Sequence, residues 1–150
     1  MAVAKKAFFH GAAILAIVEH PTFTELNKAS DAYGHYKVNK SAKLWIKYAG
    51  TATRQQAGDV YQFSFSADDL AAIKLDRIRS GKILVPLVCG QEYICCLTKE
   101  ELLGDMSAPF KPTSVRVLKP ATGKARLRVF IGGAEELIIP ASIYPAIVFS

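Results

Sequence analysis

The sequence lacks the compact signatures of chemistry. It has no glycine-rich loop to cradle a phosphate, no His-x-x-x-His spacing for a metal, and no Ser-His-Asp logic to argue from the residues alone. Cysteine is scarce, with Cys89, Cys95 and Cys96 alone. An odd count with an adjacent pair is not a secreted disulfide framework, and the spacing is not that of a zinc ribbon. Neighbouring residues on a strand point to opposite faces, so Cys95 and Cys96 cannot jointly serve one site. All three are expected in the core of a protein kept in a reducing cytoplasm. Long apolar runs are missing too. The stretch from Ala7 to Val18 follows Lys5-Lys6 as a signal peptide would, but it holds His10 and Gly11 and ends at Glu19-His20-Pro21. It offers no small-x-small cleavage site and falls short of the roughly 20 residues that cross a bilayer. No membrane association is expected.

What remains is a globular composition: 51% hydrophobic and 21% charged over 150 residues. A chain of that length forms one domain and buries roughly 70% of its unfolded surface, so it needs no metal or disulfide to fold. Its net charge of +6 tilts toward an anionic partner.

The elements can be read in order. Ala4 to Glu19 is an apolar helix stopped by Pro21, with Phe8, Ala12, Leu15 and Val18 near one face and Ile14 and Ile17 beside them. Thr24 to Ala29 reads as a helical turn, Tyr36 to Asn39 as a short strand, and Thr51 to Asp59 as a long polar loop. Lys43 to Tyr48 is a strand with unlike faces: Leu44, Ile46 and Tyr48 on one side, Lys43, Trp45 and Lys47 on the other. Val60 to Phe65 alternates cleanly. Ser66 then caps a helix that carries Asp68 and Asp69 in its first turn, bears Leu70, Ile73 and Arg77 on one side, and ends near Ser80-Gly81. Ile83 to Cys89 is a strand covered on both faces. Tyr93 to Leu97 returns, and Thr98 to Leu103 is a helix opened by a capping box. Val115 to Leu118 and Ala125 to Ile131 form a hairpin, Leu137 to Ile139 a further strand, and Ile143 to Val148 an apolar tail. These predict an α/β (α+β) fold: a central mixed sheet in αβββαββ order flanked by helices, plus a C-terminal β-hairpin. Residues 1–108 form the core, and residues 109–150 a β extension packed on the same domain.

That order resembles the PD-(D/E)XK restriction-endonuclease-like fold of archaeal Holliday-junction resolvases, over about residues 4 to 103. The Glu-x-Lys slot of that family reads Trp45-Ile46-Lys47. The resemblance implies a nucleic-acid ligand and, in active members, a magnesium ion held by an acidic pair. Here only Lys47 matches. Trp45 replaces the glutamate and cannot ligate magnesium. Upstream, Asn39 is a neutral amide and Asp31 lies in a loop. The resemblance therefore implies the fold and an anionic ligand, with a degenerate site and no metal. Restoring cleavage needs a migrated carboxylate, for which Glu19, Glu25 and Asp59 are the candidates.

Two basic sets stand apart from any acid: Lys37, Lys40, Lys43, Lys47 and Arg54, then Lys111, Arg116, Lys119, Lys124, Arg126 and Arg128. Arg126 and Arg128 share a strand face that Arg116 joins across the hairpin. Such arrays neutralise phosphates and release counterions, and Trp45 between Lys43 and Lys47 offers a ring for a base to stack on. A solubilising strand face, with Trp45 covered by a loop or a second subunit, accounts for the same residues. The expected function is a non-catalytic nucleic-acid-associated or partner-binding module. Its rivals are a magnesium-dependent DNA or RNA nuclease with moved carboxylates, and an oligomeric structural protein that uses the Trp45 face and the apolar tail as interface.

Overall fold

The structure is a computed structural model that describes residues 4–121 and 126–150. Within them lie four α-helices and eleven strands, in a mixed α+β arrangement. Helix α1 (Lys5–Val18) and the short α4 (Ala146–Phe149) cover one side of a mixed sheet. That sheet comprises β1 (Leu26–Lys28), β2 (His35–Val38), β3 (Ala42–Trp45), β4 (Lys47–Ala49), β7 (Lys82–Cys89) and β8 (Tyr93–Thr98). Its other side meets an antiparallel sheet ordered β11-β10-β9-β6-β5. The strands of this second sheet are β5 (Thr53–Gln55), β6 (Gly58–Phe65), β9 (Thr113–Pro120), β10 (Arg126–Ile131) and β11 (Leu137–Pro140). Helices α2 (Ala67–Leu75) and α3 (Lys99–Leu103) link the two sheets.

The first sheet is organised on β7. Ala42 pairs with Lys82 and Lys47 with Leu87, the same offset, so β3 and β4 lie end to end along one side of β7. The gap between them falls opposite Pro86, which has no N–H to give to a ladder. The N–H of Ile46 donates on the β2 side, to the Gly34 carbonyl at 2.9 Å. Alternation along this line is as the sequence predicts. Leu44 and Ile46 are buried among α1 residues, while Trp45 packs against the core between the sheets. Phe63, Phe65, Leu87 and Leu97 fill that second core, each burial worth roughly 1.5–3 kcal/mol. Cys95 and Cys96 divide between the two cores, and all three cysteines are buried and unbridged.

Several local expectations change. The strand at Val60–Phe65 stands in the second sheet, where β6 pairs with β9 along its whole length. Residues 24–29 hold strand β1, paired with β2, because Asn39 Oδ1 accepts from the N–H of Thr24 and Glu25 and pins the segment beside β2. The polar stretch 51–59 contains a tight hairpin, β5 with the start of β6. Helix α1 buries Phe9, His10, Ala13 and Ile17, leaving Phe8, Leu15 and Val18 exposed. The buried face lies one residue round from the expected one, because His10 is an inward residue. Helix α2 stops at Leu75, so Arg77 is outside it. Asp76 leaves in extended conformation, drawn off by the donors described below. The tail from Ile143 packs on its own chain: Tyr144 donates to the Ala13 carbonyl at 2.6 Å, and Phe149 stacks on His20.

Candidate nucleic-acid interface

The basic residues singled out from sequence fall in three places. Lys43, Trp45 and Lys47 project between the sheets, where acids from α2 and its end meet them. Lys43 Nζ lies 3.1 Å from Asp76 Oδ1, and the indole N–H of Trp45 donates to Asp76 Oδ2 at 2.8 Å. His35 Nε2 lies 2.8 Å from the same oxygen, and its ring stacks on Trp45 with centroids 3.8 Å apart. Burial raises the Asp76 carboxyl, but hydrogen bonds from Trp45, Lys43 and His35 outweigh it and hold the group below the usual range. An ionised carboxylate only accepts, so Nε2 of His35 carries the hydrogen. Burial, with the Lys43 charge adding to it, lowers His35 against the pull of Asp76, so the ring is neutral and Nδ1 accepts from Ser30 Oγ, 2.7 Å away. No local pattern aligns Ser30, His35 and Asp76 in advance. Their contacts form a clasp that ties the 30–34 loop to the end of α2, and Ser30 Oγ also accepts from the N–H of Ala32.

Lys47 is engaged in the same manner. Its ammonium donates to Asp69 Oδ2 at 2.9 Å and to the Ser64 carbonyl at 2.8 Å. Asp69 also accepts from the N–H of Ser66, completing the cap that the sequence predicts. Burial raises Asp69, but the bonds from Lys47 and Ser66 prevail and keep it low. These residues do not fit a magnesium site. One carboxylate stands at Lys47, and its Oδ2 already accepts two hydrogen bonds, whereas a hard cation wants several free oxygen ligands. Glu19, Glu25 and Asp59 do not line the cleft beside Lys47. Among the described residues, no group of three or more histidine, cysteine or acidic side chains is placed to hold a metal.

The second place is the end of the second sheet. Arg54 on β5 and Lys119 on β9 flank Asp59 in one cross-strand row, and Lys119 Nζ stands 5.6 Å from the Tyr93 ring. Lys40 stands outside these groups, exposed at the β2–β3 turn, with Asn39 and Lys40 both at positive φ. Lys124 lies outside the described residues.

The third place is the outward face of the second sheet. The pairing of Phe130 with Arg116 and of Arg128 with Leu118 puts Arg116, Arg126, Arg128 and Phe130 on one face. Gln62 and Ser64 of β6 extend the row, opposite Arg116 and Ser114. Arg116 and Arg128 each stand 5.5 Å from the Phe130 ring centroid, one from the neighbouring strand and one from its own. Arg128 also pairs with Glu136 at 2.7 Å, which fixes its guanidinium beside the ring. Val115, Val117, Leu127 and Val129 point the other way, into the core; on the arginine face Arg116, Arg126, Gln62 and Ser64 are exposed, while Leu118 and Val60 beside Arg128 are buried. No family model, curated protein or solved structure matches this chain.

The chain thus keeps two of the expected clusters apart. Arg116, Arg126 and Arg128 come together as the hairpin reading predicts. Trp45, expected as the stacking ring, is half-buried and hydrogen-bonded inside. Phe130 holds the aromatic position on the open face, and its signal lies in the spacing Arg126-x-Arg128-x-Phe130. Among the described residues, no helix is long and apolar enough to cross a membrane.

Proposed function

We propose that the chain is a non-catalytic module that binds single-stranded DNA or RNA on the outward face of its second sheet. One observation carries this reading: two guanidiniums stand 5.5 Å from the Phe130 ring centroid on a sheet face that also bears Arg126. A flat ring with planar cations beside it suits an unpaired base, and the arginines suit the phosphates on either side. Net charge of +6 supports an anionic partner. The restriction-endonuclease-like resemblance is read as a scaffold without its metal-binding acids. In support, the residue in the glutamate slot, Trp45, is held by Asp76, and Lys47 is neutralised by Asp69.

Fluorescence anisotropy with a labelled short single strand tests the reading. Arg116→Glu with Arg128→Glu abolishes binding, and Phe130→Ala weakens it by about tenfold, one stacked base being worth roughly 1–3 kcal/mol. Wild-type protein that ignores the strand at low salt, or magnesium-stimulated cutting of it, overturns the proposal.

A further inference from the structure

Helix α1 has a side that the chain does not cover. Its inward face is Phe9, His10, Ala13 and Ile17. Outward stand Phe8, Gly11, Ala12, Leu15 and Val18, all exposed. Phe8 is 61% exposed, Leu15 57% and Val18 43%. A single apolar side chain in water needs no explanation, but three in line on one helix face mark a contact. Positions 8, 11, 15 and 18 follow the three-four spacing of a coiled-coil seam. Gly11 is a hole in that seam: a Cβ on it would meet nothing within 4 Å.

The charges at the ends of α1 are reversed with respect to its own dipole. Lys5 and Lys6 stand in the first turn, where the free N–H groups are already positive, and Glu19 stands at the carbonyl end. Ala4 offers the first turn no side-chain cap. No charged residue lies between Lys6 and Glu19. Among the described residues, neither Lys5 nor Glu19 has an ion-pair partner. A second helix running the opposite way would bring an acid to the lysines and a lysine to the acid, and α1 is itself such a helix.

We propose that α1 pairs antiparallel with α1 of a second copy of this chain across a two-fold axis. In such a contact every pairing occurs twice. With Gly11 of one copy opposite Leu15 of the other, Phe8 falls opposite Val18, and each leucine seats over a glycine. Glu19 of each copy then lies beside the first turn of the other, within reach of Lys5. A shallow crossing, about 20°, keeps the helices in contact along most of their length. The layers run α1, first sheet, second sheet, so the arginine face lies on the far side and each copy keeps its own open. An anionic membrane surface fits this face less well, because it would attract Lys5 and repel Glu19.

Sedimentation equilibrium of the full chain over a range of concentrations is the test, with helix content and thermal midpoint read on every variant. One helix pair is a small interface, so a dimer forming in the micromolar range is expected. Leu15→Glu abolishes it, because two carboxylates would be buried near the axis, and leaves the exposed side of the monomer folded. Val18→Asp does the same and stands in if Leu15→Glu fails to fold. Lys5→Glu weakens the dimer by about fivefold even though it suits the helix dipole better, and so does Glu19→Lys. The two changes together restore the wild-type affinity, since each acid again meets a base. A chain that stays monomeric up to millimolar concentration, a dimer that survives both Leu15→Glu and Val18→Asp, a double swap no better than either single change, or a monomer that instead binds vesicles of anionic phospholipid would each overturn the proposal.

Discussion

Two stretches of strand in this chain carry basic residues at alternate positions, and the fold treats them oppositely. On β3 and β4, Lys43 and Lys47 face inward and each meets an aspartate from the α2 region. On β9 and β10, Arg116, Arg126 and Arg128 face outward, and among the described residues Arg128 alone of the three meets an acid, Glu136, in a half-exposed pair. Alternation alone sets which residues share a face. It does not say whether that face will be covered. What decides is the next layer: α2 arrives over the first stretch, while the second sheet presents its far side to water. A run of positive charge on a strand is therefore evidence of an anionic partner only after the protein's own acids have been placed.

The contrast is sharpest at Asp76. Its carboxylate is 8% exposed and accepts from Lys43, Trp45 and His35. Asp76→Ala leaves an ammonium, an indole N–H and an imidazole without their acceptor, and the expected loss is about 3–5 kcal/mol in denaturant unfolding. A loss below about 1 kcal/mol would mean the cluster behaves like an exposed ion pair. Next in size is Gly34→Ala, where positive φ and the Ile46 carbonyl both resist a side chain. It should cost roughly 1–3 kcal/mol and move His10, read by unfolding and by the His10 ring resonances.

The inward groups also set the response to acid. Burial, with Lys6 adding to it, lowers His10 from 6.5 to about 4. Above pH 6.5 the ring is neutral folded or unfolded, so it changes nothing. Between 6.5 and about 4 the unfolded chain takes the proton first, and stability falls as pH falls. Asp69 and Asp76 act in the same direction at lower pH: their folded values are depressed, so the stability they lend is present above the ordinary aspartate range and lost as pH drops through the folded values. Thermal midpoints should decline from pH 7 to pH 4, and His10→Phe should flatten the upper part of that decline. A midpoint that holds steady across the window would contradict the burial of neutral His10. The smallest effect belongs to the open face. Glu136→Gln removes the carboxylate from Arg128 on a half-exposed pair, and it should alter stability by less than about 1 kcal/mol while leaving strand binding intact or tighter.

Much of the local structure was legible. Ser66 and Thr98 cap the helices they were expected to cap, because a helix cap is written within four residues. The strand alternation at Lys43–Tyr48 and the burial of β7 follow from short patterns as well. The site was legible in part: hairpin logic places Arg116, Arg126 and Arg128 together. The same spacing carries Phe130, which a reading confined to charge leaves out. What sequence did not reveal is long-range. Asp76 lies 41 residues from His35 and 31 from Trp45, and no local pattern announces that partnership. The assignment of β6 to a second sheet depends on its pairing with β9, residues about fifty positions later in the chain. Helix α1 misled for a different reason. Nearly every side of it is apolar, so hydrophobic spacing could not choose between Phe8 and Phe9 as the inward ring.

The most direct test is the salt dependence of single-strand binding, measured as the slope of log K against log salt. Arg116→Ala with Arg126→Ala and Arg128→Ala is expected to lower the slope by about 0.7 for each phosphate no longer neutralised, while Lys43→Met leaves it unchanged. A slope that survives the triple change, or that collapses when Lys43 alone is altered, would show that the phosphates are met on the first sheet after all.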